Sequence, residues 1–436
     1  MSKKNTRRRN TRGGKPVFAG AQGCVFIPSL KCKGQPRNMN DGNISKLGYK
    51  EGSDFEMREY DKISPFIKKI KNHEKYFSIR VKSCEPDVLS TSDLVNFNEV
   101  CQNFKNDYIT AETVNDNLDK LRAINMPNLG VDLKVWFDKM PLDGRRLRRL
   151  NDHISELLLR AVEPMNAMGV MHNDLKSENI MIDFKEDNVR IIDWGLAGVT
   201  TPHQVIPARY FMNNPVTYNR PFSTMIMSSE IDQLYEPHLA KFSNDAHLKS
   251  FVSDLYDEYR KLAPTGHEYL TYIFESMFQL SRDAANALLN AAVEKYNADI
   301  LRDFTDRKHR KFMLHDYFSK VYRFNTDVWG TMSVFYSIFM MPRDHFIMSD
   351  AVYQAMLREY RNIFSTMVFV NGSRRMNVRN LVQRLQKISD LVAPLPVQKD
   401  KFNKSVKKIR FQQPRPATRH HVKRVPTPYP MNMQQI

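Results

Sequence analysis

Between Met171 and Gly198 the chain reads MHNDLKSENIMIDFKEDNVRIIDWGLAG, and no other stretch constrains it as tightly. Asp174 is followed five residues later by Asn179, and Asp193 comes fourteen residues after that. One carboxylate can orient a hydroxyl nucleophile and take its proton, while an amide carbonyl and a second carboxylate can hold Mg²⁺ against phosphates. Lys176, two residues past Asp174, can reach a developing phosphoryl charge. The apolar run Val189–Ile192 reads as a strand that delivers Asp193. Asp174, Lys176, Asn179 and Asp193 are therefore the candidate catalytic residues, with Asn179 and Asp193 as metal ligands. His172 is expected to brace the loop, because Asp174 already suits the role of base. Trp194 is expected to pack inward.

Upstream, Pro16–Phe26 reads as two strands joined by a glycine turn, with Gly20 and Gly23 flanking Ala21-Gln22. Glycines let a hairpin backbone approach phosphate oxygens, which makes Gly20, Gly23 and Val25 candidate nucleotide contacts. Lys46, on a strand expected over Asn43–Leu47, can pair the α- and β-phosphates. It should be held there by a glutamate on the helix expected over Ser53–Ile70. Glu56 and Glu59 are both available. Glu59 is preferred, since it lies one turn before Ile63 and so nearer the inward face. Pro65 is expected to kink or split this helix, and a further strand is expected over Tyr76–Val81.

From Asp132 onward the texture becomes helical, with long patterns at Arg148–Met168, Asp245–Leu262, His267–Phe278, Asp283–Phe304 and Asp327–Met340. A hydrophobic content of 42% allows a substantial core, yet no run approaches the roughly 20 apolar residues of a membrane span. No membrane partner is expected, and the basic N-terminus lacks the apolar core of a secretory signal. The net charge of +18 is localised: residues 1–16 carry seven basic side chains and residues 401–436 carry nine, with no acid in either. These arms lack apolar periodicity and are expected to be disordered. They can bind nucleic acid or another polyanion by counterion release, or simply aid solubility. Cys24, Cys32, Cys84 and Cys101 form no C-x-x-C pair, and free thiols in a reducing compartment are the expectation.

Taken in order, Gly20 and Gly23, Lys46, Glu59, Asp174, Asn179, Asp193 and the segment Asp327-Val328-Trp329-Gly330 resemble the eukaryotic-like protein kinase superfamily over residues 16 to about 395. More narrowly, the chain is similar to serine/threonine kinases encoded by nucleocytoplasmic large DNA viruses, such as giant viruses and iridoviruses. The residues that carry this likeness are Gly20–Phe26 with Pro28 and Leu30-Lys31-Cys32, Ile44–Leu47, Asn125–Leu133 and Arg220-Pro221-Phe222-Ser223.

The resemblance implies an α+β, bilobal fold with a β-rich lobe over 16–130 and a helical lobe over 131–398. The second lobe would carry a long helical insertion after the D-W-G motif, and basic arms at 1–15 and 399–436 would flank the whole. It implies ATP and Mg²⁺ as cofactors, adenine against residues 125–130 and Asp132 near the ribose. It also implies a protein serine or threonine as acceptor and a virion or host-cytoplasm setting.

Three departures stand out. Phe18 replaces the first glycine, Asn173 stands where many such enzymes carry arginine, and 131 residues separate Gly195 from Asp327 with no A-P-E motif. They keep two other readings open: a kinase-fold virion or scaffold protein of weak or no activity, and a small-molecule kinase of the aminoglycoside or choline type.

Overall fold

The structure is a computed structural model and describes residues 14–20, 23–36, 42–79, 81–183, 187–200, 217–227, 231–239, 245–262, 264–370 and 372–393. Apart from Gly14 and the residues that follow it, both basic arms lie outside the described residues, as do Ala21 and Gln22.

Five strands form an antiparallel sheet: β1 (Lys15–Gly20), β2 (Gly23–Ile27), β3 (Asn43–Tyr49), β4 (Lys82–Cys84) and β5 (Leu121–Pro127), in the order β1-β2-β3-β5-β4. Successive side chains point to opposite faces of a strand, and β3 shows the consequence. Leu47 enters a buried core with Cys24, Phe26, Leu89, Phe97, Phe104 and Val114, several of them from the segment between β4 and β5. Lys46 turns to the other face, against helix α1 (Lys50–Ile67). Gly23 has a packing role of its own, since a Cβ there would collide with the carbonyl oxygen of Leu47.

Three local expectations are corrected. Helix α1 continues through Pro65 to Ile67, because Ile63 and Ile67 bury its last turn in the core. The strand expected over Tyr76–Val81 does not form among the described residues. His73–Tyr76 is a helical turn, Phe77 makes a single parallel bridge to Ile191, and β4 starts only at Lys82. The cysteines are not free thiols: Cys24 is bonded to Cys101 and Cys32 to Cys84. Both bridges fasten the sheet side of the fold to chain that is distant in sequence, by 77 and 52 residues.

The chain divides into two compact units, residues 1–136 with 164–201, and residues 137–163 with 202–436. This differs from a boundary after Gly130, and strand pairing is the reason. Strand β6 (Val131–Asp132) pairs with Ile180–Asp183, which pairs in turn with Asn188–Ile191. Val170–Met171 pairs with Gly198–Val199. The whole stretch from Met171 to Gly198 is thereby sewn into the first unit. Gly130 permits the close approach: its φ is +94°, and a Cβ would strike the Ile182 carbonyl.

The second unit is mainly helical, with helices at Gly144–Leu157, Asp245–Leu262, Pro264–Phe278, Arg282–Asp303, Arg323–Met332, Asp350–Ile363 and Val378–Val392. The Arg148–Met168 pattern proves to be three pieces, since a π-turn at Leu158–Val162 joins Gly144–Leu157 to Glu163–Ala167. Trp329 is fully buried, its ring 4.9 Å from Phe222, 5.9 Å from Tyr296 and 5.5 Å from Phe369. Its Nε1 donates to the Tyr218 carbonyl at 3.0 Å. The Asp327–Gly330 and Arg220–Ser223 segments thus share one aromatic core. Among the described residues, no helix is long and apolar enough to cross a membrane.

Candidate active site

All the residues of this site lie in the first unit. Val170–Met171 leads directly into His172, which is fully buried. The main-chain N–H of Asp174 donates to His172 Nδ1 at 3.3 Å, so the proton resides on Nε2, which donates to the Ile192 carbonyl at 2.9 Å. The ring also packs against Trp194 at 5.0 Å. The imidazole therefore braces the loop against the strand that carries Asp193, and both its nitrogens are committed to that task. Asn173 takes a left-handed φ of +62° and donates to the Leu196 carbonyl at 3.1 Å, a second tie to the same segment.

Asp174 Oδ2 accepts from Lys176 Nζ at 2.8 Å and from Asn179 Nδ2 at 2.9 Å. Asn179 Nδ2 also donates to the Asp174 carbonyl at 2.7 Å. Charge-assisted bonds of this kind are short and orienting. With the amide nitrogen so engaged, the Asn179 carbonyl oxygen is the atom suited to a cation. The main-chain carbonyl of Asn179 accepts from Ile192 N–H at 3.1 Å, which brings Asn179 beside the chain leading into Asp193. Asp193 is itself left-handed, with φ +64°, and accepts from Gly195 N–H at 3.3 Å. Non-glycine residues adopt this conformation rarely, and such outliers concentrate at functional sites.

Lys46 Nζ is 2.7 Å from Glu56 Oε2, and both side chains are largely buried. This corrects the choice of Glu59, whose carboxylate pairs with Lys62 at 2.7 Å. Three residues rotate a helix by about 300°, so the two glutamates stand about 60° apart, and Glu59, though buried, turns its carboxylate to Lys62. Burial alone does not choose between the two, because Glu59 is buried on α1 together with Tyr60, Ile63 and Ile67; the partner each carboxylate meets does. In the sheet Lys46 is registered opposite Val25, and Gly20 opposite Gly23. Asp132 accepts from Val135 N–H at 2.8 Å, capping the helix Leu133–Lys139, and burial raises its pKa.

One ammonium serves two carboxylates. Burial would lower the Lys46 pKa, but Asp193 and Glu56 together raise it. Burial raises Glu56, and Asp193 adds to that against the pull of Lys46. Burial would also raise Asp193, yet Lys46, the Gly195 N–H and Lys176 hold it below the ordinary carboxylate value. Asp193 therefore stays ionised while Glu56 bears the cost of crowding. An ionised carboxylate beside an amide carbonyl is a set of hard oxygen donors, which fits Mg²⁺, an ion that takes few protein ligands and completes its shell with phosphate and water.

The family model described as the protein kinase domain matches residues 68–223. Over these residues the chain is similar to protein kinase domains. The matched stretch includes the whole loop from His172 to Asn179 and the Asp193-Trp194-Gly195 motif, and it ends in the Arg220–Ser223 segment. Lys46, Glu56 and the β1–β2 glycines precede it, and geometry alone joins them to the kinase motifs. The β-sheet first unit and the mainly helical second unit agree with the α+β class expected of such a domain. A kinase domain implies ATP as phosphoryl donor and a protein as acceptor.

Proposed function

We propose that this chain is a serine/threonine protein kinase that transfers the γ-phosphoryl group of ATP to a protein hydroxyl with Mg²⁺. The observation that carries the reading is the convergence of six side chains: Lys46 clamped to Glu56, Asp193 held ionised by Lys46, and Asp174 bonded to both Lys176 and Asn179.

Asp174 would orient the acceptor hydroxyl and accept its proton as the oxygen attacks phosphorus. Lys176, already 2.8 Å from Asp174, would steady the charge on the phosphoryl oxygens. Lys46 would hold the α- and β-phosphates. Asn179 and Asp193 would hold Mg²⁺, which supplies neutralisation of the phosphate charge. Asp132, with one oxygen engaged as a helix cap, would reach the ribose through the other. Gly20, Gly23 and Val25 would line the phosphate end. Lysine at 176 favours serine or threonine over tyrosine as acceptor.

The motif set that resembles large DNA virus kinases supports a viral setting within the same proposal. Two disulfides favour the virion over the reducing cytoplasm. The basic arms would add non-specific nucleic-acid affinity.

Incubation with Mg²⁺ and γ-labelled ATP, a protein acceptor mixture and a metabolite panel, followed by phosphoamino-acid analysis, tests the assignment. Label in phosphoserine and phosphothreonine is expected. Label confined to phosphotyrosine or to small molecules contradicts it.

A further inference from the structure

Away from the kinase motifs, the second unit presents a group of cations built around one aromatic ring. Arg323 and Phe324 open the helix Arg323–Met332, and Arg374 and Arg375 lie just before the helix Val378–Val392. The guanidinium carbon of Arg323 is 4.5 Å from the Phe324 ring centroid and that of Arg375 is 3.5 Å from it. Each is also tied through Nε to a main-chain carbonyl, Arg323 to Ser319 at 2.9 Å and Arg375 to Lys320 at 2.6 Å. A guanidinium has five N–H donors, so these ties leave the Nη groups available.

The backbone beneath the pair is fixed from inside the fold. Asn325 is 1% exposed and grips the chain on both sides of Arg375. Its Nδ2 donates to the Arg374 carbonyl at 2.8 Å, and its Oδ1 accepts from Met376 N–H at 2.9 Å. A buried asparagine thereby holds exposed arginines in place, which reduces the ordering cost of a ligand they would bind.

Among the described residues, no carboxylate lies within 4.0 Å of the guanidinium of Arg323, Arg374 or Arg375. The acids nearby are otherwise engaged: Asp316 with Lys320 at 2.7 Å, and Asp303 with the Ser373 hydroxyl at 2.6 Å and Arg302 at 3.7 Å. Burial and the adjacent charge of Arg375 lower the Arg323 pKa, the expected sign for two like charges held together.

We propose that Arg323 and Arg375, held over Phe324 with their backbone anchored by Asn325, form with the neighbouring Arg374 a docking site for a phosphoserine or phosphothreonine side chain on a polypeptide. A phosphomonoester carries between one and two negative charges and three acceptor oxygens. Arginine forks match it bidentately, which is why they recur in phospho-residue recognition. A nucleic-acid strand fits less well, because Arg375 covers the ring on which a base would stack. The choice of phosphoserine and phosphothreonine rests on the proposed kinase reading: these are the residues the chain would itself produce, so the site would select acceptors that have already been phosphorylated once.

The test uses the full chain without nucleotide and a fluorescein-labelled peptide carrying one phosphoserine. The control peptide has two glutamates in its place, so that the basic arms meet equal charge. Fluorescence anisotropy should show a preference of about tenfold for the phosphopeptide. Arg323→Gln with Arg375→Gln should remove that preference, and Arg375→Lys, which keeps the charge but loses the fork, should remove most of it. Arg374→Gln, at an exposed position, provides a further variant should the double replacement fail to fold. No preference over the glutamate peptide, a preference that survives all these variants, or tighter binding of an oligo-dT strand than of the phosphopeptide would each overturn the proposal. Because binding is read without ATP, an inactive but phosphopeptide-selective chain would sink the kinase reading and leave this one standing.

Discussion

Lys46 and Glu56 are 2.7 Å apart, in an ion pair whose side chains are 17% and 13% exposed, and Asp193 draws on the same ammonium. Removing one partner of a buried pair leaves the other charge uncompensated. Glu56→Gln should lower kcat/KM for ATP by about 10²-fold. Glu59→Gln, at a glutamate that pairs with Lys62 and not with Lys46, should have a much smaller effect. Steady-state kinetics of the two variants side by side decide the assignment. Equal losses would return Glu59 to the role.

The same pair sets the response to acid. Glu56 titrates above its ordinary 4.5 and Asp193 below its ordinary 3.8. Falling pH therefore protonates Glu56 first, and Lys46 loses its clamp while Asp193 is still charged. A pH profile of kcat/KM should show an acid limb centred above 4.5 that is absent in Glu56→Gln. The stability signs are opposite. Protonating Glu56 relieves a crowded buried charge, so its contribution improves as pH falls. The Asp193 contribution is present above the unfolded value of about 3.9 and is lost only as pH falls through the depressed folded value. Lys46, raised above 10.5, contributes below its unfolded value and loses that contribution as pH rises through the folded one.

Both disulfides close long loops, of 77 and 52 residues, onto the sheet that carries Lys46. Cross-links of this kind contribute about 2–4 kcal/mol each. Thermal unfolding in the presence of reductant should show a lowered midpoint, and Cys24→Ser with Cys101→Ser should show part of that loss without reductant. An unchanged midpoint, or mass spectrometry showing four free thiols in the folded protein, would contradict the pairing.

Gly23→Ala should destabilise the first unit by about 1–3 kcal/mol, because the new Cβ meets the Leu47 carbonyl and the backbone must shift. Chemical denaturation measures this directly. A neutral substitution would show that β2 can move away from β3 at little cost, and would remove the packing role assigned to this glycine.

The candidate loop was legible in the sequence because His172, Asp174, Lys176, Asn179 and Asp193 are close in the chain. Lys46 was legible from its order after the glycines. Glu56 was not chosen because three residues separate two glutamates that both turn away from solvent, and only the lysine that each carboxylate meets distinguishes them. The disulfides were missed because partners 77 and 52 residues apart leave no local signature, although an even set of cysteines confined to residues 24–101 was a usable hint. The division into units was hidden for the same reason. It depends on β6 reaching Ile180–Asp183 across some fifty residues, a pairing that composition does not reveal.

The central claim is that Asp174, positioned by His172, Lys176 and Asn179, takes the proton of a protein hydroxyl during phosphoryl transfer. Single-turnover transfer from Mg²⁺-ATP to a protein acceptor, measured for the native chain and for Asp174→Asn alongside nucleotide affinity, tests it most directly. The account predicts a loss of about 10²–10⁴-fold in the transfer rate with ATP affinity essentially unchanged. Transfer that persists at the native rate in Asp174→Asn would contradict it.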